Sequence, residues 1–591
     1  MWWPAVRERL LTQHFVRRFL ENDLVSPDAD RHEVLSLVGA GLLSSTMFIT
    51  IGLALKFMFM PLQSPGRTAI LAVDDRLLFL ACAMIVMALV AVTAWDGLSL
   101  DPRDSSILGP LPIAHHAIVR AKLSAVALYA AGFALATTVM PALLHPPLMV
   151  GRLSIGLAAG LLLIVIQFVV SLAAGLFGFA AILAVRETLR ACSGRHFIRL
   201  SAIAQALLIV MLATSFLLVP AIVGNAARTV AAPGRLVTLL PPFWFLGAQE
   251  TLGGGFVDRL PRRDLPRWLG QQEERATSDY RAAVPAFQTL AVQALVAFAG
   301  TLGLALSAYT WNSRRLPFPP IATRADRYAG PGVLARLVMR TLARAPAARA
   351  GFFFTVQCLL RSAPHRLVLA ACTAVCLALA TATIEVALEG QLDPRAPKTS
   401  GFVTQTLVLG ILLAGLGHVM RIPGDLRANR LFHLAWLGQK DRYVDGVNRA
   451  AAAILIVPAL LALFPTHLLL FGLRMASAHL LTGLLLGLVV LEALAAGRRS
   501  LPFASSYSPP ADLNTRGPVI GIGALFASSI FGSLERSALA GPRSALSLWL
   551  ALAALFLMLR YRRGRRERGV TPDAPDFYPS EMARLDLTGA S

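Results

Sequence analysis

Residues 155–185 read IGLAAGLLLIVIQFVVSLAAGLFGFAAILAV, a run without one charged side chain. About 20 apolar residues cross the hydrocarbon of a bilayer as helix, so this run spans it with length to spare and must tilt or extend beyond the core. Backbone in lipid has to satisfy its own N–H and C=O groups, and helix does that within one segment. Similar runs recur on both sides. Bounded by charge, proline or glycine, they fall at 34–56, 77–97, 123–145, 155–185, 200–223, 285–310, 366–388, 402–420, 451–473, 475–497, 518–536 and 543–560. The expectation is an all-α, polytopic transmembrane helix bundle of about twelve spans.

Composition points the same way. Of 591 residues, 56% are apolar and 15% charged, against about 25% charged in a soluble domain. The 55 Lys and Arg outnumber the 33 Asp and Glu to leave +22, and only Lys56, Lys122, Lys398 and Lys440 are lysines. Basic excess of this kind fits cytoplasmic loops that set orientation and meet anionic lipid better than it fits nucleic acid. An N-inside arrangement puts 1–33, 98–122, 186–199, 311–365, 421–450, 498–517 and 561–591 in the cytoplasm, and the arginines gather there. Both termini are therefore expected on the cytoplasmic face of the membrane. The outer loop 224–284 mixes arginines with Glu250, Asp258, Asp264, Glu273, Glu274 and Asp279, and a loop that long translocates regardless of charge.

The spans divide into halves. Each half reads as span, outer loop, span, structured cytoplasmic segment, two tightly linked spans, basic turn, span, outer loop, span. The expected organisation is a cytoplasmic or interfacial segment 1–33, a six-span half 34–310, a basic linker 311–365, a second six-span half 366–560 and a basic tail 561–591. Inner repeats of this kind are common among transporters. In the N-terminal segment Trp2, Trp3, Phe15 and Phe19 would anchor at the interface, and 333–344 (VLARLVMRTLAR) sets an apolar face against Arg336, Arg340 and Arg344.

Several chemistries are missing from the sequence. No lysine follows a glycine, so there is no G-x-x-x-x-G-K-[ST] phosphate loop. H-E-x-x-H and G-x-S-x-G are also absent. Cys372 and Cys376 lie one turn apart without a His or carboxylate partner, which reads as helix packing rather than a metal site. Charged residues within the spans are few and sit near their ends, among them Lys56, Asp96, Glu385 and Glu492, whereas an ion-coupled carrier places such groups at the midplane. A membrane enzyme acting on lipid-linked substrates would have to draw on Glu250, Asp258, Asp264, Arg259 and Arg262. The expectation is a chain without catalytic residues, cofactor or metal. In the outer loop Pro241 to Phe245 would lie at the interface, as an exit gate or as a helix packed over the bundle.

The informative residues are in the cytoplasmic connections. DPRDSSILGPLPIAHHAIVRAK at 101–122 exposes Ile107, Leu108, Leu111 and Ile113 in a segment that faces water, punctuated by Gly109, Pro110 and Pro112. The matching segment after span eight, RIPGDLRANRLFHLAW at 421–436, interleaves apolar groups with Arg427 and Arg430. LPFASSYSPP at 501–510 is stiffened by Pro502, Pro509 and Pro510 and carries Phe503 and Tyr507 as aromatic anchors.

These three segments resemble the corresponding ones of bacterial ATP-binding-cassette permeases of the type-2 export class, in particular its large, uncharacterised members. Arg430 stands where those members would carry a tryptophan after Asn429. The resemblance implies a permease without its own motor, coupled to a separate cytoplasmic ATPase dimer; no nucleic-acid partner is expected from the charge placement. It further implies one coupling element at Leu108, Pro110, Leu111, Pro112 and Ile113 and a second at Pro423, Asp425, Asn429 and Phe432. The two elements would sit on the two halves of the ATPase dimer.

Overall fold

The computed structural model describes residues 3–20, 42–53, 65–100, 107–108, 110–153, 156–223, 226–231, 239–253, 267–314, 344–392, 400–422, 439–497, 501–503 and 513–566, with 55, 104, 339 and 341 singly. Regular structure among them is entirely helical. Nine helical runs among the described residues are long and apolar enough to cross a membrane. The chain forms two compact units, Met1–Thr323 and Arg324–Ser591.

The first unit contains α1 (Trp3–Leu20), α2 (Leu42–Leu53), α3 (Pro65–Thr93), α4 (His115–Leu153), α5 (Leu157–Ser193), α6 (Phe197–Ile222), the short α7 (Ala226–Ala231), α8 (Pro241–Gly253) and α9 (Arg267–Arg314). The run that opens the sequence reading is the body of α5. It starts after Gly156, in extended backbone, and stops at Gly194, whose φ of 47° suits a residue without Cβ. Leu77, Leu80 and Met84 of α3 pack with Ile166, Val170 and Phe177 of α5 and with Phe287 and Leu290 of α9 to form its core. The opposite face of α5 leaves Leu161, Leu162, Val165 and Val169 exposed, and α9 does the same with Val292, Leu295 and Val296. Continuous apolar surface on that scale needs hydrocarbon, not water, against it.

One boundary and one expected interfacial anchor differ from the sequence expectation. The span placed at 77–97 begins earlier: α3 starts at Pro65 and its apolar stretch at Ile70, so Asp74, Asp75 and Arg76 fall inside the helix. Hydropathy alone assigns such charges to a boundary, because it cannot see the partners that neutralise them. Phe15 is buried against α4 together with Leu100, Ile118, Ala121 and Ala125, rather than presented to the interface. The aromatic stretch at 241–245 forms the start of α8, which lies across α9, α5 and α3 with Phe243, Phe245 and Leu246 buried.

The second unit contains α10 (Pro346–Arg361), α11 (Ala363–Leu392), α12 (Ser400–Val419), α13 (Lys440–Ala496), α14 (Leu513–Leu539) and α15 (Pro542–Arg566). The expected interfacial helix at 333–344 lies almost wholly outside the described residues. α13 is a 57-residue run bent back on itself. Gly472, at φ 75° and ψ 167°, breaks the helix in a region that glycine alone enters freely. The rings of His467 and His479 are 4.6 Å apart by centroid, whereas 12 residues of straight helix advance about 18 Å. Gly483 likewise lies beside Leu460 and Gly487 beside Ile456. The arms 440–471 and 473–496 are therefore antiparallel, which divides the run where the sequence reading set the break between two tightly linked spans.

Each unit repeats a set of internal contacts. α1 packs on α4 in the first unit, and α10 on the first arm of α13 in the second. α5 packs on α3 and α9, as α13 packs on α12 and α15, and α3 packs on α6 as α12 packs on α14.

Candidate functional site

The connection after α3 stands on a platform made by α1 and α4. Leu108 and Ile113 pack against the Phe15, Ile118 and Ala121 cluster and are half-buried. Leu111 is 47% exposed and Ile107 68% exposed, and Pro110 and Pro112 are exposed beside them. The turn is held from within: Leu111 N–H donates to the Leu108 carbonyl at 3.2 Å and Ile113 N–H to the Leu111 carbonyl at 2.7 Å. Thus the five residues singled out in the sequence separate into two anchors and an outward tip, with two prolines limiting how far the tip can relax. Leu111 and Ile107 are the groups a partner's apolar groove can take up.

The platform is tied to the helices around it. The Lys122 ammonium is almost fully buried between the rings of Phe15 and Phe19, 4.7 and 4.6 Å from their centroids, an arrangement in which ring quadrupoles offset part of the lost hydration. Before the connection, Trp95 Nε1 donates to Ser201 Oγ at 2.7 Å and Arg190 Nη1 to Ser99 Oγ at 2.7 Å. After it, His115 Nε2 lies 3.0 Å from the Ser313 carbonyl at the end of α9. A displacement of the tip is thereby shared among α3, α5, α6 and α9. The exposed Arg120–Glu8 pair, at 2.5 Å, adds little: Arg120→Ala should change thermal stability by no more than about 0.5 kcal/mol, measured by melting in detergent.

Pro423, Asp425, Asn429 and Phe432, the second expected coupling element, lie outside the described residues, as does Tyr507. The two described residues just before that element are firmly held. His365 Nε2 lies 3.1 Å from the Ile422 carbonyl, and its Nδ1 2.6 Å from Ser362 Oγ. Phe503, buried and at φ 63°, donates its N–H to the Met420 carbonyl at 2.9 Å. That strained backbone keeps the Phe503 ring against His365, 5.6 Å between centroids. Nearby, burial pushes the Cys358 thiol of α10 up to about 11, so it stays protonated and unreactive at neutral pH.

Sequence reasoning passed over the buried charges. At one end of the first unit Arg76 Nη1 donates to Glu250 Oε1 at 2.7 Å, and Tyr280 Oη donates to Glu250 Oε2 at 2.7 Å. Gln249 Nε2 donates to Gln167 Oε1, and Gln167 Nε2 to Ser171 Oγ at 3.0 Å. The cavity beside them, lined by Arg76, His145, Gln167 and Gln249, holds about 10 Å³, room for at most one water. Glu250, the one acid of the lipid-linked-substrate reading that is described, is thus spent on an ion pair; Asp258, Arg259, Arg262 and Asp264 lie outside the described residues. At the other end Asn312 Nδ2 donates to Glu187 Oε2 at 2.8 Å, with Arg186 beside it at 2.5 Å.

The second unit has counterparts. Arg563 bridges Asp445 and Glu492, with Arg560 2.9 Å from Asp445. His479 Nδ1 lies 2.6 Å from Glu535 Oε1. Among the described residues no three His, Cys, Asp or Glu side chains converge as a metal site. What the arrangement offers is a rigid, apolar-tipped projection joined to buried polar ties. Comparison with protein-family models, curated proteins and solved structures finds no match for this chain.

Proposed function

We propose that the chain is the membrane-spanning permease subunit of an ATP-driven exporter of the ATP-binding-cassette type, in a bacterial cytoplasmic membrane with both termini inside. The observation that carries this is the tip formed by Ile107, Pro110, Leu111 and Pro112, exposed on a platform whose ties reach four helices. A motor pushing on that tip moves helices, not a loose loop. The sequence has no G-x-x-x-x-G-K-[ST] phosphate loop; in this reading a separate ATPase does the work, and rocking of helices alternates access to a pathway.

We further propose twelve spans in two related six-span halves. Supporting this, the repeated helix contacts are accompanied by repeated residues. Gly178 of α5 sits against Met84 of α3, and Gly483 of α13 against Gln405 of α12. Nine residues later each helix carries a buried glutamate, Glu187 and Glu492, that meets a polar side chain on the last turns of the unit's final helix, Asn312 or Arg563. The stretches GFAAILAVRETL (178–189) and GLLLGLVVLEAL (483–494) share Gly, Leu, Val, Glu and Leu in one register.

The test is copurification. Full-length chain extracted in detergent should bring down a phosphate-loop ATPase, and Leu111→Asp should reduce the yield of that partner at least about tenfold, as loss of a buried apolar contact does. Absence of any ATPase, or an unchanged yield in Leu111→Asp and Ile107→Asp, overturns the proposal. One observation favours a second reading, an ion-coupled carrier: His479 and Glu535, on two different apolar runs, are fully buried and in contact. Transport by reconstituted chain driven by an ion gradient without ATPase would establish that reading instead.

A further inference from the structure

His479 and Glu535 meet where α14 crosses the second arm of α13. Both residues are sealed, at 0% exposure. The imidazole is boxed by the rings of Phe402 at 4.8 Å, His467 at 4.6 Å and Phe471 at 6.0 Å. Gln405 Nε2 donates to the His479 carbonyl at 2.8 Å and lies 3.3 Å from Nδ1. Beyond the 2.6 Å contact between Nδ1 and Oε1, His479 Nε2, Glu535 Oε2 and Gln405 Oε1 have no hydrogen-bond partner.

From this geometry we infer that His479 and Glu535 form a binding site for a single proton, and that the bound proton holds α14 onto the α13 hairpin. A neutral imidazole beside an ionised carboxylate would leave one uncompensated anion among phenylalanines, at a cost of several kcal/mol. One added proton makes the pair neutral overall, as imidazolium with carboxylate or as imidazole with carboxylic acid. A second would leave a buried cation. The two groups are therefore expected to share one proton.

No other described charge is placed to replace that proton. Among the side chains described, the titratable or charged groups at this end of α11, α12, both arms of α13, α14 and α15 are Glu385, His467, Arg474, Arg536 and Arg543, besides the pair itself. Glu385, Arg474, Arg536 and Arg543 are exposed. His467 is buried and touches the His479 ring, and a charge on it would oppose a charge on His479. A proton needs no cavity. Release of the proton strands the carboxylate, and water reaches it only if α14 moves off the hairpin. The inference is independent of the ATPase reading, since it concerns what holds one helix.

Nuclear magnetic resonance of the full chain in lipid nanodiscs tests it, with ¹⁵N-labelled histidine and ¹³C-labelled glutamate. The His479 signal is identified by its contact with the Phe402 ring. The pair should carry one proton, on imidazole or carboxyl, at about pH 7.5. In Glu535→Gln the imidazole should be neutral at the same pH. Amide exchange in α14 should rise in the wild-type chain once the proton leaves. A neutral imidazole beside an ionised carboxylate at that pH in the wild-type chain overturns the site, and the wild-type measurement stands even where the variant fails to fold. Exchange in α14 that does not change across the titration overturns the latch.

Discussion

Replacing Arg76 by alanine should destabilise the first unit by about 3–5 kcal/mol, the cost of leaving one member of a buried ion pair without the other. Glu250 keeps the hydrogen bond from Tyr280, but a single neutral donor does not offset a carboxylate 4% exposed at its side chain. The carboxyl must then take up a proton or draw water into a cavity that has room for at most one molecule. The double variant Arg76→Ala, Glu250→Gln removes both charges and should recover much of the loss, because an apolar or neutral replacement of a buried pair is often tolerated where half of it is not. Melting of the detergent-solubilised chain measures both. If Arg76→Ala melts with the wild type, the pair contributes nothing to holding α8 over α3. Because Glu250 is the acid the enzyme reading requires, the same cycle assigns it a structural task.

The helical class and the apolar runs could be read from sequence because lipid imposes one rule on every backbone it surrounds, and 155–185 displays that rule over its full length. The turn at Gly472 was also legible: the expected break between 473 and 475 follows from length, since 451–497 is about twice what a bilayer needs. Helix starts were harder. Asp74, Asp75 and Arg76 resemble a boundary until Glu250, 174 residues away, arrives beside Arg76. The same holds for Glu535, a carboxylate near the end of an apolar stretch whose partner His479 is 56 residues back. Contacts across such separations leave no local periodicity. In the connection after α3, sequence marked five residues as one element, but which of them face outward depends on Phe15 and Ile118, which lie in two other helices. A spacing rule cannot tell Leu108 from Leu111; packing does.

The glycine pair gives the sharpest contrast in expected effect. Gly178→Ala should cost about 2–3 kcal/mol or more, while Gly483→Ala should come out near neutral, although both glycines sit at a tight helix crossing within their units. A Cβ at Gly178 collides with the Met84 main-chain carbonyl. That oxygen is fixed by the hydrogen-bonded helix α3, so the two helices must part along their length, and Met87, Ala174 and Phe177 lose packing with them. At Gly483 the nearest atom is Gln405 Nε2 at 2.5 Å, with Leu460 Cδ2 at 2.8 Å. Both belong to side-chain ends that can rotate away for about 1 kcal/mol, and alanine returns up to about 1 kcal/mol in helix propensity over glycine. Gly132, which has open space where its Cβ would be, serves as the control in which only the propensity gain remains. The expected order of melting temperature is Gly132→Ala at or above wild type, Gly483→Ala beside it, and Gly178→Ala far below. Equal losses at 178 and 483 would mean that Gln405 cannot move. Its amide would then have to be fixed by its bond to the His479 carbonyl, and the crossing in the second unit would be as rigid as that in the first.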